Sequence, residues 1–515
     1  MGTSVDPVQA GRAAPDILTE AQQLVHTAAI ELGRHPQARD LLDACADRLG
    51  QPLRVALAGS IKAGKSTLLN ALIGQSVAPT DATECTRVVT WYRNGATPAV
   101  TAYAEDGAAA HVVVRRGTGA HGLTFDMTGL RWNPPGERAV DHLEVRWPTA
   151  ELARTTIIDT PGTSSLSREV SQRTLRLLTP AAETGEPDPL TVTPGADAVV
   201  YLLRRLDATD VQFLEQIGTG GAAGPLGVVG VVSRADEIGA GRMNALQSAR
   251  EVAARFATEL ERTGLCQAVI PVAGLLAFAA ATLTQPEFAA FEALATLPPE
   301  SLELAMLSAD RFARPDIALP VPPALRAQLA DRFGMFGVRM ATELVRTGVR
   351  DATRLSAELS ARSGIDELRT VLDVQFGQRT DQLKAHSALN TLDRVLAAVP
   401  GTPADRLRPR VRTLLADVHG FAELRLLGRL RADELPLPEA DVAELVRLIG
   451  GAGVAPHVRL GLPPDADTAT LRAHALAAVR KWRGRSRHPL ADRATAAACA
   501  TAARSAEGTL AQLPG

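Results

Sequence analysis

The stretch Gly59-Ser60-Ile61-Lys62-Ala63-Gly64-Lys65-Ser66 constrains this chain more than any other. It fills every fixed position of the pattern G-x-x-x-x-G-K-[ST]. The apolar run 53–58 precedes it and reads as a strand. Thr67 to Ile73 follows, apolar at helical spacing and closed by Gly74. A strand, a glycine-rich loop and a helix start, in that order, make a phosphate cradle. The glycines let backbone N–H groups close around an anion, and the helix N-terminus adds its positive end. In such a cradle Lys65 reaches the β- and γ-phosphates, and the Ser66 hydroxyl ligates Mg²⁺. Gly59 to Thr67 are therefore the expected phosphate-binding residues.

Lysine usage supports this. The chain holds 55 lysines and arginines, yet lysine stands only at positions 62, 65, 384 and 481. Two of these four fall in the one loop. A compact ammonium and a planar guanidinium are not interchangeable at a phosphate. Lys65 is the expected ligand. Lys62 is either a second functional cation or a solvated surface lysine.

A chain of 515 residues has room for more than one domain. Its net charge of −2 argues against bulk nucleic-acid binding. Residues 401–515 nevertheless carry 17 Arg and Lys against 12 Asp and Glu. Cys45, Cys85, Cys266 and Cys499 form no C-x-x-C pair, which suits a reduced, cytoplasmic setting. Residues 1–15 lack the pattern of a signal peptide and are expected to be disordered. The uncharged run 268–283 contains Pro271 and Gly274 and is shorter than the ~20 residues a membrane span needs. It is expected to be a buried strand and the helix after it.

Two helices are predicted over 16–50. Strands are predicted at 88–92, 98–104, 111–116, 142–147, 155–158, 198–203, 228–232 and 268–273, with a helix over 243–263. Alternation of this kind implies an α/β domain, residues 51–362, with a doubly wound, mostly parallel sheet. Beyond residue 275 only helices are expected, at 286–312, 322–349, 350–362, 404–431, 438–449, 466–483 and 491–513. Ser363 is expected to cap one long helix reaching Pro400. Residues 363–515 would then form an elongated helical bundle, joined by the helices of 16–50.

Three further stretches sit where a guanine nucleotide needs them. Asp159-Thr-Pro-Gly162 ends a predicted strand. Asp159 would hold Mg²⁺ through water, and the Gly162 N–H would meet the γ-phosphate. Thr86, in the loop after the first helix, would complete the metal shell and hold the attacking water, with Thr83 as its rival. Ser233-Arg234-Ala-Asp236 ends another strand. A carboxylate at Asp236 accepts two hydrogen bonds from guanine, which adenine cannot offer, so GTP is favoured over ATP. The Arg234 stem would lie on the base. The stretch Pro271-Val-Ala273-Gly274, at the next strand end, would offer backbone N–H groups to the guanine oxygen, Ala273 among them.

These residues resemble the dynamin-like GTPases. The likeness rests on Gly59 to Thr67, on Cys85-Thr86-Arg87, on Asp159-Thr-Pro-Gly162 and on the motif at 233–236. The helices before the first strand and the long helices at the C-terminal end resemble bacterial members. The resemblance implies that residues 51–362 are a Ras-like P-loop GTPase domain, carried on a helical neck and trunk, with GTP/GDP and Mg²⁺ as ligands. It also implies self-association through GTPase domains and action at the inner face of the plasma membrane. Two departures stand out. Eukaryotic members carry Gln-Ser where this chain has Ile61-Lys62, so no glutamine orients water there. The guanine motif carries Ser-Arg in place of Thr/Asn-Lys.

With Ile61 apolar and Thr163 following Gly162, Lys62 is the group expected to offset charge developing between the β- and γ-phosphates. The catalytic set is thus Lys62, Thr86 and Gly162. The run Arg480-Lys481-Trp482-Arg483-Gly-Arg485 concentrates cations around a tryptophan. It reads either as a contact with an anionic membrane or as an ordinary basic helix end. Loop 448–464 is the other candidate tip, and no specific nucleic-acid module is present. Three functions remain open: a membrane-acting dynamin-like GTPase, a soluble GTPase switch or assembly factor, and a weakly hydrolysing partner of a paralogous dynamin-like protein.

Overall fold

We describe residues 17–80, 88–116, 123–162, 195–219, 227–241, 243–262, 266, 268–417, 419–432 and 435–513 of a computed structural model. The strands are β1 (Leu53–Gly59), β2 (Val89–Asn94), β3 (Ala99–Tyr103), β4 (Ala109–His111), β5 (Val113–Arg116), β6 (Leu123–Asp126), β7 (Trp132–Asn133), β8 (His142–Trp147), β9 (Thr155–Asp159), β10 (Ala198–Leu203), β11 (Gly227–Ser233) and β12 (Ala268–Val272). Ten of them make one sheet in the order β12-β11-β10-β1-β9-β2-β8-β3-β4-β7.

Strands β12, β11, β10, β1 and β9 run parallel. Their residues are mostly apolar and buried, as the strands of a covered parallel sheet require. Strand β2 joins β9 antiparallel and opens an extension in which β8, β3, β4 and β7 follow. Strands β6 and β7 had no counterpart among the predicted elements. The parallel half aligns the ends of β1, β9, β11 and β12 on one edge, with Leu57 opposite Asp159 and Ser233 opposite Val272. That register delivers three of the sequence motifs to one place.

The run 268–283 is a strand followed by helix Gly274–Ala281, as expected. Among the described residues no helix is long and apolar enough to cross a membrane. Helices 274–281, 285–295, 299–305, 309–313, 323–346 and 352–362 form a lobe with its own core around Phe288, Phe291, Phe333 and Phe336. The single helix expected over 286–312 is three, interrupted at Pro298 and capped afresh by Ser308.

The long helix expected from Ser363 to Pro400 is also broken. It consists of Ile365–Gln375 and Thr380–Ala398, joined by a short 3₁₀ turn. Phe376 is the cause. Its ring is buried under β11, where a Cβ on Gly227 would come within 2.5 Å of it. Arg379 then turns away and donates to the carbonyls of Ile449 and Gly450, 3.2 and 2.6 Å distant. Helix 365–375 thus packs with the sheet, and helix 380–398 with the bundle.

Helices Ile17–Glu31 and Pro36–Leu49 pack with 380–398 around Leu24, Leu42, Leu389 and Leu392. Arg48 ties this bundle to the sheet through a buried ion pair with Asp197, which also accepts the Arg54 N–H at 3.0 Å. Helices 439–448, 468–486 and 493–512 form a further cluster around Leu445, Trp482 and Cys499.

Candidate functional site

The phosphate loop is shaped by backbone angles. Gly59 has φ +141°, and a Cβ there would stand 2.5 Å from the Leu202 carbonyl oxygen. Only glycine lets β1 leave the sheet so close to β10. Gly64 has φ +91° and opens helix Lys65–Ile73. Lys62, exposed at the top of the loop, has φ +59°. That conformation costs a non-glycine residue about 1–2 kcal/mol. After it the Ala63 N–H donates back to the Ser60 carbonyl at 3.2 Å, closing the turn.

Lys65 is buried, and its Nζ donates to the carbonyls of Gly59 and Ser60, each at 3.0 Å. Burial lowers its pKa, with Asp159 opposing. The Ser66 hydroxyl donates to Asp159 Oδ2 at 2.7 Å. Asp159 Oδ1 is buried without a hydrogen-bond partner. Burial raises the Asp159 pKa, against Lys65 and the Ser66 bond. An unpartnered buried carboxylate oxygen beside a hydroxyl is costly for a protein alone. It is a hard-oxygen donor pair of the kind Mg²⁺ takes. Thr160 fixes this loop, its N–H and hydroxyl both reaching the Leu57 carbonyl, at 3.2 and 2.8 Å. Gly162 is buried against Ile61, where a Cβ would approach the Ile61 Cα and N to 2.9 Å. Thr83, Thr86 and Thr163 lie outside the described residues.

A cleft opens beside the loop, lined by Ala63, Gly64, Thr67, Ser233, Asp236 and Gly274, among others. Asp236 is 6% exposed and burial pushes it up to about 6. Ser233 anchors the strand end by donating to the Leu203 carbonyl at 3.2 Å. Arg234 also lines the cleft, in the left-handed region at φ +53°, and pairs with Glu237 at 2.6 Å. The expectation for Ala273 is corrected. Its N–H is donated to the Ser363 carbonyl at 2.8 Å, so it has no donor left for a base. Gly274 and Leu275, which open the next helix, line the cleft instead.

The basic run is corrected as well. Trp482 is 0% exposed, and its Nε1 donates to Glu444 at 2.9 Å. Lys481 pairs with Asp441 and Glu444, both at 2.6 Å, Arg483 pairs with Glu507 at 2.6 Å, and Arg485 pairs with Asp441. Arg480, the first residue of the run, is exposed. The run holds three helices together and leaves no tryptophan for a membrane interface. Loop 448–464, the other candidate tip, packs at the break in the long helix, where Gln378 accepts the Val454 N–H at 3.0 Å.

The dynamin family model matches residues 55–183, which include the loop and Asp159. The isoniazid-induced protein IniC of two Mycobacterium tuberculosis strains is 51% identical over 474 residues, 92% of this chain and 92% of that protein. The chain belongs to the bacterial dynamin-like GTPases. A bacterial dynamin-like protein of Nostoc punctiforme is 46% identical over 54 residues, 10% of this chain and 8% of that protein. Two solved chains of an oligomerised bacterial dynamin pair align at TM-score 0.30. They show 13% and 11% identity, covering 82% and 98% of this chain and 81% and 77% of theirs. As a dynamin-like GTPase this protein binds guanine nucleotide and hydrolyses GTP.

Sequence reasoning missed Leu275 and Glu237. Neither belongs to a motif. Leu275 was findable only from the rule that a helix start after a strand end faces the ligand edge.

Proposed function

We propose that this GTPase holds the nucleotide phosphates in loop 59–66, reads guanine through Asp236 and acts at the cytoplasmic membrane. The observation that carries the nucleotide reading is the Ser66–Asp159 contact at 2.7 Å with Asp159 Oδ1 left unpartnered. Ser66 and Asp159, with Thr86, are the residues that would hold Mg²⁺, which neutralises phosphate charge when bound. Lys65 neutralises the β- and γ-phosphates. The Gly162 N–H receives the γ-phosphate. The GTPase domains self-associate.

The membrane reading moves from Trp482 to the turn between helices 468–486 and 493–512. There Leu490 is 89% exposed, beside exposed Arg487, His488 and Arg493. An exposed leucine among cations suits an anionic lipid surface. A second reading has one observation in its favour. Ile61 is packed on Gly162, where a water-orienting group is expected, and this suits a slow hydrolyser that partners a paralogous dynamin-like protein.

Two measurements test the proposal. Asp159→Asn should abolish the dependence of GTP binding on Mg²⁺ in a calorimetric titration. Sedimentation with anionic vesicles should increase with GTP. Unchanged sedimentation with intact turnover returns the protein to the soluble-switch reading.

A further inference from the structure

Helix Pro323–Arg346 is broken once, at Gly334, where φ is 64° and ψ 167°. That region of backbone space is essentially open to glycine alone. Glycine inside a helix also costs ~1 kcal/mol relative to alanine. The break has a definite address. A Cβ built on Gly334 would meet only two side chains, Asp236 Oδ2 at 3.4 Å and Leu275 Cδ2 at 3.8 Å. Both residues line the cleft beside the phosphate loop.

The break is held from both sides. Before it, Arg332 pairs with the buried Glu287 at 3.0 Å and donates to the Thr282 carbonyl at 3.0 Å. Phe333 is buried edge-on to Phe291, ring centroids 5.1 Å apart. After it, Phe336 is buried, and Gly337 faces Leu276, to which a Cβ would approach within 3.0 Å. The segment Arg332-Phe-Gly-Met-Phe-Gly337 therefore fixes a bent backbone behind one carboxylate.

We infer that Gly334 is a positioning residue for guanine selectivity: the helix break it permits backs the Asp236 carboxylate and keeps it aimed into the base cleft. This rests on the proposed role of Asp236 as reader of the base. Space is not the issue, because 3.4 Å is ordinary contact distance. The issue is angle. Alanine at 334 cannot hold φ 64°, ψ 167°, so the helix straightens and the wall behind Asp236 moves. A carboxylate without that backing still accepts a bond from the ring N–H shared by guanine and hypoxanthine. It loses the alignment for the exocyclic amine that only guanine has. The helical lobe is thereby linked to the identity of the bound base.

The test is a ratio of affinities. The wild-type chain should bind GTP at least ~10-fold more tightly than inosine triphosphate, since a site built for a donor rejects the analogue lacking it. Gly334→Ala should cut that ratio at least threefold, leaving kcat for GTP at saturation within about twofold. Gly508→Ala, in helix 493–512 where a Cβ meets nothing within 4 Å, should leave the ratio unchanged. On the wild-type chain, GDP should slow amide hydrogen exchange at 334–338 more than inosine diphosphate does. An unmoved ratio in a folded Gly334→Ala chain overturns the inference, and so does equal protection by the two diphosphates. A wild-type chain that does not prefer GTP to the inosine nucleotide instead removes the base-reading role of Asp236 itself.

Discussion

Gly162 and Ile61 touch so closely that no side chain fits between them: a Cβ on Gly162 would stand 2.5 Å from Ile61 Cγ1. The loop after β9 and the phosphate loop thus move as one body. Gly162→Ala forces them apart by roughly the width of a methyl group. It should lower kcat by at least ~10-fold with a smaller change in GDP affinity, because the displaced N–H is the one proposed to meet the γ-phosphate. Steady-state turnover beside a GDP titration checks this. Equal losses in both would place the contact in folding rather than in hydrolysis.

Asp236 gives the site a pH dependence. Burial raises its carboxyl from 3.8 to about 6. The sign is that of a raised acid. The folded chain binds the proton more tightly than the unfolded one, so this group supports folding below about pH 4 and its contribution is lost as pH rises through about 6. Nucleotide binding should run the other way, since the proposed reading of the base through Asp236 needs the ionised carboxylate. From pH 7 to pH 5, GTP affinity should fall about tenfold on account of this group. Asp236→Asn should abolish that component, raise the melting temperature of the nucleotide-free chain at pH 7, and favour xanthosine triphosphate over GTP. A mutant that keeps the wild-type pH profile would assign the titration to another group.

Much of this site is legible in the sequence, and the reason is local. The phosphate loop, Asp159 and Ser233 to Asp236 each lie at the end of one strand, so chain order alone brings them to one edge. What is illegible depends on partners far along the chain. The cations at 480–485 suggest a membrane contact until Asp441, Glu444 and Glu507 are seen facing them. The apolar spacing from Ile365 onward runs past Phe376, because periodicity cannot tell a ring that packs on the bundle from one that enters the sheet. Ala273 stands at the right strand end, but its N–H was already committed to Ser363. Gly334 resembles any helix glycine until Asp236 is found beside it.

Trp482 and Leu490 separate stability from membrane contact. Trp482 is buried, so Trp482→Ala should destabilise the helical cluster by about 3–5 kcal/mol. Calorimetry should show it as a lowered melting temperature, with GTP affinity kept. Leu490→Asp with Arg487→Glu touches only exposed positions and should leave melting within about 0.5 kcal/mol. It should instead reduce sedimentation with anionic vesicles, an effect that weakens as salt screens the cations over ~8–10 Å. Unaltered vesicle binding by the double variant would exclude the 487–493 turn as the contact.

Lys62 combines two properties that different substitutions pull apart. It carries a cation over the phosphate loop, and it holds a left-handed backbone at φ +59°. Lys62→Gly removes the cation and relieves the strain, which should steady the loop by up to ~1 kcal/mol. Lys62→Ala removes the cation and keeps the strain. If the cation offsets charge developing between the β- and γ-phosphates, both variants lose about 10²-fold or more in kcat, and nucleotide affinity changes little. Were the residue important only for its backbone, the glycine variant would match or exceed wild-type turnover and the alanine variant would bind GTP more weakly. Lys62→Arg completes the set. A guanidinium keeps the charge but spreads it over a wider fork. Recovery of most of the turnover by arginine would assign the effect to charge, and failure of arginine would assign it to the reach and point-like head of lysine. The assay must span protein concentration, because the GTPase domains are proposed to self-associate. Wild-type turnover in all three variants at high protein concentration removes Lys62 from the hydrolytic machinery.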